Sequence, residues 1–187
     1  MSKHIGNITV TKDNLHSFPA VSEIYGHLTI SAGVELRANN LVMVRGWVTL
    51  DPGASLTAPM LGLVDGWVTL GLGATLSAIH LTEIRNDLTL AGDSEDLETK
   101  FVGEALTTVG ALNLQRDADY GFPALTEVRD GVTLAAGAAL GMPKLARVGK
   151  SLTLREKAWL GAPELAYIGG YLDCDESAQL VAPRFTS

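Results

Sequence analysis

Hydrophobic residues recur along this chain with a spacing of 20 residues. Aligning the repeats on Val48 of the phrase GWVTL gives one aliphatic column, and a second column lies two residues further on. The first column contains Ile8, Leu28, Val48, Val68, Leu88, Leu112, Val132, Leu152 and Leu172. The second column contains Val10, Ile30, Leu50, Leu70, Leu90, Leu114, Leu134, Leu154 and Cys174. All steps are 20 residues except one of 24, from Leu88 to Leu112, and such regularity predicts a stack of similar units.

Each repeat contains two stretches in which successive side chains alternate between apolar and small or polar. The phrases L-T-L and A-x-L-x-A place alternate side chains on opposite faces, as in β-strands. A helix is not predicted, because glycine and β-branched residues follow the L-x-x-V segment of each repeat. Glycine predicts a corner with positive φ, and proline predicts a second corner. The corner residues are Gly33, Gly53, Gly73 and Gly137, and Pro19, Pro59, Pro123, Pro143, Pro163 and Pro183.

Three short extended segments between corners in each repeat predict an all-β fold. We expect a right-handed, three-sided parallel β-helix (β-solenoid) of about nine coils of 20 residues, stacked about 4.8 Å apart around an aliphatic core. Right-handed winding is predicted because the six-residue period of left-handed hexapeptide helices is absent. Residues 1–187 are predicted to form a single domain, with an N-terminal capping coil at 1–20 and a C-terminal cap at 181–187.

An acidic segment interrupts the repeat, and residues 91–105 are predicted to be a loop insertion. The segment carries Asp93, Glu95, Asp96 and Glu98. We expect it to project outward, because the interior of a coil has no room for additional residues. Its four carboxylates form a secondary candidate site for a basic partner.

The phrase A-P-x-L-x-x-V-x-G-x-L-x-L is present, with small variations, as FPALTEVRDGVTL over 122–134 and as APELAYIGGYLDC over 162–174. It resembles the repeat of receptor L-domain-like and leucine-rich-repeat-like solenoids. The resemblance extends over nearly the whole chain. It implies a solenoid that serves mainly as a binding surface.

The charge of the chain narrows the classes of partner. The 187 residues include 14 Lys and Arg against 21 Asp and Glu, a net charge of −7. This balance disfavours surfaces that neutralise nucleic-acid phosphates or anionic lipids, so neither direct nucleic-acid binding nor membrane binding is predicted. No apolar run is long enough for a membrane span, and MSKHIGNITV lacks a signal-peptide core. A cytoplasmic location is therefore predicted.

Catalytic and metal-binding chemistry is not predicted for this chain. Cys174 stands in an aliphatic column and is predicted to be a buried, inert thiol. The four histidines share no spacing that would suit a metal ion. No acid/base pair, nucleophile triad or phosphate-binding loop is present in the pattern. We therefore expect a protein that is not an enzyme and needs no cofactor.

An apolar group of side chains is predicted to face outward on the second to fourth repeats. Trp47 and Trp67 occupy one outward column on adjacent coils, and His27 precedes them. Clustered exposed apolar side chains usually mark an interface, so we expect a protein–protein interaction module that binds a partner protein or itself. Alternatively, the rings shield strand edges or form a sugar-stacking platform. The predicted partner-binding residues are His27, Val42, Met43, Trp47, Met60, Leu63 and Trp67.

Two other functions stay open at the level of sequence. One is that of an acidic mimic of nucleic acid that inhibits a nucleic-acid-binding enzyme, which the net charge of −7 and the acidic segment favour. The other is ice binding through a ladder of outward threonines. That ladder comprises Thr9, Thr29, Thr49, Thr69, Thr89, Asn113, Thr133, Thr153 and Asp173. Threonine is also a favourable residue for any exposed strand ladder.

Overall fold

The computed structural model describes residues 2–18, 20–94 and 96–186. Within these ranges the chain forms short β-strands and one 3₁₀ turn at Leu15–Ser17, and no α-helix. In chain order the strands are β1 (Lys3–Ile5), β2 (Ile8–Val10), β3 (Glu23–Tyr25), β4 (Leu28–Ile30), β5 (Glu35–Arg37), β6 (Met43–Val44), β7 (Val48–Leu50), β8 (Ser55–Thr57), β9 (Leu63–Val64), β10 (Val68–Leu70), β11 (Thr75–Ser77), β12 (Glu83–Ile84), β13 (Leu88–Leu90), β14 (Lys100–Val102), β15 (Thr108–Val109), β16 (Leu112–Leu114), β17 (Asp119–Gly121), β18 (Glu127–Val128), β19 (Val132–Leu134), β20 (Ala139–Gly141), β21 (Arg147–Val148), β22 (Leu152–Leu154), β23 (Trp159–Gly161), β24 (Tyr167–Ile168), β25 (Leu172–Cys174) and β26 (Gln179–Val181).

The strands form the three sides of a parallel β-solenoid of about nine coils. Side A consists of β1, β3, β6, β9, β12, β15, β18, β21 and β24. Side B consists of β2, β4, β7, β10, β13, β16, β19, β22 and β25. Side C consists of two four-stranded sheets, β5, β8, β11 and β14, and then β17, β20, β23 and β26. The predicted three-sided solenoid is confirmed, and right-handed winding stays a prediction.

The register of side B follows the repeat in the sequence. Val48 pairs with Val68 and Val68 with Leu88, so the first aliphatic column is a column of directly opposed residues. In β10, Val68 and Leu70 point inward and are buried, whereas Thr69 between them is partly exposed. The aliphatic columns therefore line a continuous core along the coil axis.

The corner between sides B and C needs a left-handed backbone. Gly53 and Gly73 have φ values of 68° and 69°, as glycine permits at no steric cost. Gly33 and Gly137 adopt similar values, and two coils place Asp117 and Lys157 in the same conformation. The predicted glycine corner is confirmed.

The acidic insertion is shorter than the predicted span of 91–105. Lys100–Val102 is a regular strand that pairs with Thr75–Ser77, and Phe101 stands opposite Leu76 in the core column. The exposed part of the described segment is therefore limited to Asp93, Ser94 and residues 96–98, between the buried residues Gly92 and Thr99. Phe101 escapes the sequence alignment because the insertion precedes it, so that it follows its partner by 25 residues.

The first coil combines regular strands with a cap. β1 and β2 pair with the second coil on sides A and B. On side C the 3₁₀ turn takes the place of a strand, and Leu15 and Phe18 pack against the core. Pro19, which was predicted to form a corner, lies outside the described residues. At the other end, β26 ends at Val181, inside the predicted cap of 181–187.

The expectation of a buried cysteine is wrong. Cys174 is exposed, because β25 pairs with β22 along one edge and no described strand pairs with its other edge. Leu172 of the same strand is also exposed. Residual burial and then the carboxylates of Asp173 and Asp175 raise the pKa of the Cys174 thiol.

Candidate interaction surface

Three aromatic rings are stacked in the outward column at the edge of side B. The indole rings of Trp47 and Trp67 have centroids 4.4 Å apart and planes within 6° of each other. The imidazole of His27 lies parallel to Trp47, with an angle of 9° between the planes. Because strands of a sheet are about 4.8 Å apart, each ring belongs to one coil. The prediction that the two indoles lie one coil apart in one column is confirmed, and we call the three residues the ring stack.

Backbone hydrogen bonds fix the first ring of the stack. The N–H of Trp47 donates to Nδ1 of His27 at 3.2 Å. The backbone N–H of His27 donates in turn to Oδ1 of Asn7 at 3.0 Å. Because Nδ1 accepts this bond, neutral His27 carries its proton on Nε2. The hydrogen bond from Trp47 therefore fixes the orientation of the His27 ring, which is the first ring of the stack.

Glycine is required at the corner beside the ring stack. A Cβ atom on Gly66 would lie 2.5 Å from the carbonyl oxygen of Gly46 and 2.8 Å from the backbone nitrogen of Trp47. A Cβ atom on Gly46 would collide with the ring of His27. At Gly46 and Gly66 the coils approach so closely that no side chain fits, and successive rings come into contact beside them.

The rings differ in how much of their surface reaches solvent. Trp47 is half-buried because His27 covers one face and Trp67 covers the other. Trp67 is 41% exposed. Among the described residues, neither another ring nor a cation lies over its second face. This outer face of Trp67 is the accessible part of the ring stack.

A second apolar group lies at the corner between sides C and A and on side A. Met60 is 52% exposed, whereas Val42, Met43 and Leu63 are half-buried. Ile79, which is also exposed, was not predicted. It occupies a position that is proline in most other repeats. An isoleucine at this corner position was the feature of the sequence that could have predicted an exposed apolar side chain.

Charged residues separate this second group from the ring stack. One position of the repeat lies between the two apolar groups, and on three successive coils it is occupied by Arg45, Asp65 and Arg85. Arg45 contacts Asp65 at 3.1 Å and Arg85 contacts Asp65 at 2.9 Å. The hydrogen bond with Asp65 is the main cause that raises the pKa of Arg45. The predicted residues therefore form two apolar surfaces with an ion-paired ladder between them.

The acidic segment is an ordered turn. The carboxylate of Asp93 accepts the backbone N–H of Thr99 at 2.7 Å, and Ser94 and Leu97 exchange backbone hydrogen bonds. Glu98 pairs with Lys100 at 2.8 Å. Of the remaining predicted acidic residues, Asp96 is exposed and Glu95 lies outside the described residues.

A partly buried polar network that the sequence did not predict holds this turn on the solenoid. The hydroxyl of Thr99, a buried residue, accepts the backbone N–H of Gly73 at 2.9 Å. The hydroxyl of Tyr120 lies 3.1 Å from the carbonyl oxygens of both Ala91 and Thr99. Burial is the main cause that raises the pKa of Tyr120, and Asp93 adds to it. The sequence feature that could have predicted this network is Tyr120 itself, because its column is otherwise mostly leucine.

The threonine ladder is present on side B as predicted. Thr49, Thr69 and Thr89 stand directly opposite one another. The neighbouring outward column does not match it, because the ring stack is followed there by Asp87 and Ala111. An ice-binding face needs two matching columns, and this side offers one.

The described residues contain no cluster of three or more His, Cys, Asp and Glu side chains that could hold a metal ion. They also contain no helix with the length and apolar composition that a membrane crossing requires. No protein-family model, no curated protein and no solved structure matches this chain.

Proposed function

We propose that this chain is a non-enzymatic interaction module that binds a partner protein, or a second copy of itself, through the ring stack. The observation that supports the proposal is the outer face of Trp67, which is open to solvent and held parallel to Trp47. An ordered surface loses little conformational entropy on binding. Tryptophan is also enriched among the residues that dominate binding energies at interfaces.

The repeat gives this proposal further support. Its resemblance to receptor L-domain-like and leucine-rich-repeat-like solenoids implies a scaffold whose coils serve mainly as binding surfaces. The exposed apolar corner at Met60 and Ile79 offers a second contact region on the same coils. A partner that reached both regions would cover the ladder of Arg45 and Asp65.

The proposal is tested by Trp67→Ala, with Trp159→Ala as the matched control. Trp159 is 39% exposed on side C, on a different side of the solenoid. Trp67→Ala should weaken self-association or partner binding by about 2–4 kcal/mol, while the free energy of unfolding falls by no more than about 1 kcal/mol. Sedimentation velocity measures self-association, and affinity capture from a lysate of the source organism measures partner binding.

Trp159→Ala should leave both interactions as they are in the unmodified chain. The proposal fails if Trp67→Ala changes neither self-association nor capture. It also fails if the two variants weaken binding equally, because the ring stack would then have no particular role.

A further inference from the structure

Side A shows how this solenoid covers an exposed aromatic ring. The guanidinium of Arg45 lies 5.5 Å from the ring centroid of Tyr25, and the same arginine donates a hydrogen bond to Asp65 at 3.1 Å. These residues come from three consecutive coils and occupy one outward column. The order along the column is ring, arginine, carboxylate.

The same arrangement occurs a second time, in the reverse order. Arg147 lies 4.7 Å from the ring centroid of Tyr167, and its Nε is 3.8 Å from a carboxylate oxygen of Glu127. Strand pairing places these three residues directly opposite one another on consecutive coils. A guanidinium suits this position because its plane stacks on a ring while its N–H groups bind a carboxylate.

Trp67 and Asp87 provide a ring and a carboxylate on adjacent coils of one column, with no coil between them to carry an arginine of this chain. Asp87 follows Trp67 in the outward column, and the N–H of Val68 donates to its backbone carbonyl at 2.8 Å. The Asp87 carboxylate is exposed and makes no ion pair with any residue that the structure describes. The nearest arginine in sequence, Arg85, is engaged by Asp65 at 2.9 Å.

The geometry leaves room for a planar group on Trp67. Because the indoles stack along the coil axis, a group on the outer face of Trp67 would lie at the level of the coil that carries Asp87. The aspartate side chain is shorter than an indole, so it can cover less of the outer face of Trp67 than a further ring would. The next residues in the column, Ala111 and Gly131, are small.

We propose that the partner contributes an arginine side chain that stacks on Trp67 and forms an ion pair with Asp87. This inference rests on the proposed function and specifies its partner as a protein segment with an exposed arginine. The net charge of −7 favours the approach of such a basic segment.

The test uses N-acetyl-arginine amide and N-acetyl-lysine amide as probes, because they carry the same charge. The indole N–H signal of Trp67, assigned from the spectrum of Trp67→Phe, reports binding in NMR titrations. The arginine probe should shift this signal saturably, with a Kd at least about threefold lower than that of the lysine probe. Asp87→Asn should raise the Kd of the arginine probe at least about threefold.

Asp119→Asn is the matched control, since Asp119 is an exposed carboxylate on side C and its loss changes the net charge equally. This variant should leave the Kd unchanged. The proposal is overturned by a non-saturable shift, by equal affinity for both probes, or by equal effects of the two variants. Arg37 and Arg116 are exposed arginines that make no ion pair with any described residue. If self-association depends on Trp67 and is lost in Arg37→Gln or Arg116→Gln, the arginine comes from a second copy, and the proposal of a separate partner is overturned.

Failure of this inference can be told apart from failure of the proposed function. If Trp67→Ala abolishes protein capture while the arginine probe does not bind, the interaction module stands and its partner uses another group. If neither capture, self-association nor probe binding depends on Trp67, both proposals fail.

Discussion

The inward and outward columns of side B can be compared coil by coil, because both come from the same strands. The inward column is leucine at six positions, all of them buried: Leu50, Leu70, Leu90, Leu114, Leu134 and Leu154. The outward column at the edge of the same strands changes at each coil after the ring stack, through Asp87, Ala111, Gly131, Ser151 and Tyr171. Whether a residue type recurs from coil to coil therefore depends on whether its position in the repeat faces the core or the solvent.

The difference has a physical cause. An inward side chain packs against the same kinds of neighbours in every coil, so each coil imposes the same size and polarity on that position. An outward side chain meets solvent, which accepts many residue types. Binding chemistry is therefore to be sought where an outward column carries large apolar residues on successive coils, as it does at Trp47 and Trp67.

The largest effect should follow from placing a carboxylate in an inward column. Leu70→Asp should abolish folding, because an unpaired buried charge costs several kcal/mol against a total stability of about 5–15 kcal/mol. The neighbouring outward substitution, Thr69→Asp, should change the free energy of unfolding by about 1 kcal/mol or less. Urea titrations followed by circular dichroism measure both.

Leu134→Asp provides an independent check at a distant coil, and it should behave as Leu70→Asp does. A cooperative unfolding transition of native midpoint in either leucine variant would contradict the assignment of the inward columns. The same holds if Thr69→Asp is as damaging as Leu70→Asp.

Most of the fold could be predicted from the inward columns alone. The spacing of Val48, Val68 and Leu88 gave the strand register, and the glycines gave the corner between sides B and C. The register could be predicted because each buried position needs an apolar side chain of similar size in every coil. The prediction failed for Cys174, since a column position does not reveal whether a further coil covers it.

The candidate surface could be predicted only in part. The column of Trp47 and Trp67 was readable from their spacing of one repeat. The ion pairs of Asp65 with Arg45 and Arg85 were not, because they depend on how long side chains reach across coils. Those pairs divide the predicted patch in two. The hydrogen bonds of Tyr120 were equally hidden, since they end on backbone carbonyls of the acidic segment.

A smaller effect is expected at the glycine corner, where the outer surface is as tightly packed as the core. Gly66→Ala should destabilise the protein by about 1–3 kcal/mol, because its Cβ would overlap the backbone of Gly46. Gly141→Ala on side C is the control, since a Cβ there meets no atom within 4 Å. It should be neutral or slightly stabilising. Thermal unfolding of both variants checks the difference, and equal melting temperatures would contradict the close approach of the coils.

The smallest effect concerns Tyr120, a polar residue in an inward column. Burial raises the pKa of its hydroxyl in the folded state, so the folded protein holds this proton more tightly than the unfolded chain does. Stability should therefore fall as the pH rises above about 10, the ordinary pKa of tyrosine, because the unfolded chain ionises first. Since Tyr120 is partly solvated, this loss should not exceed about 1 kcal/mol by about pH 10.5.

Tyr120→Phe isolates this contribution from those of other groups that titrate at high pH. At neutral pH the variant should be less stable by about 1 kcal/mol, because the hydroxyl no longer reaches the carbonyl oxygens of Ala91 and Thr99. Between about pH 9 and 10.5 its stability should fall less steeply than that of the unmodified chain, as measured by urea titration at each pH. Parallel pH profiles would mean that the hydroxyl is as well hydrated as in the unfolded chain. Ala91 and Thr99, whose carbonyl oxygens the hydroxyl reaches, would then not be held to the core by Tyr120.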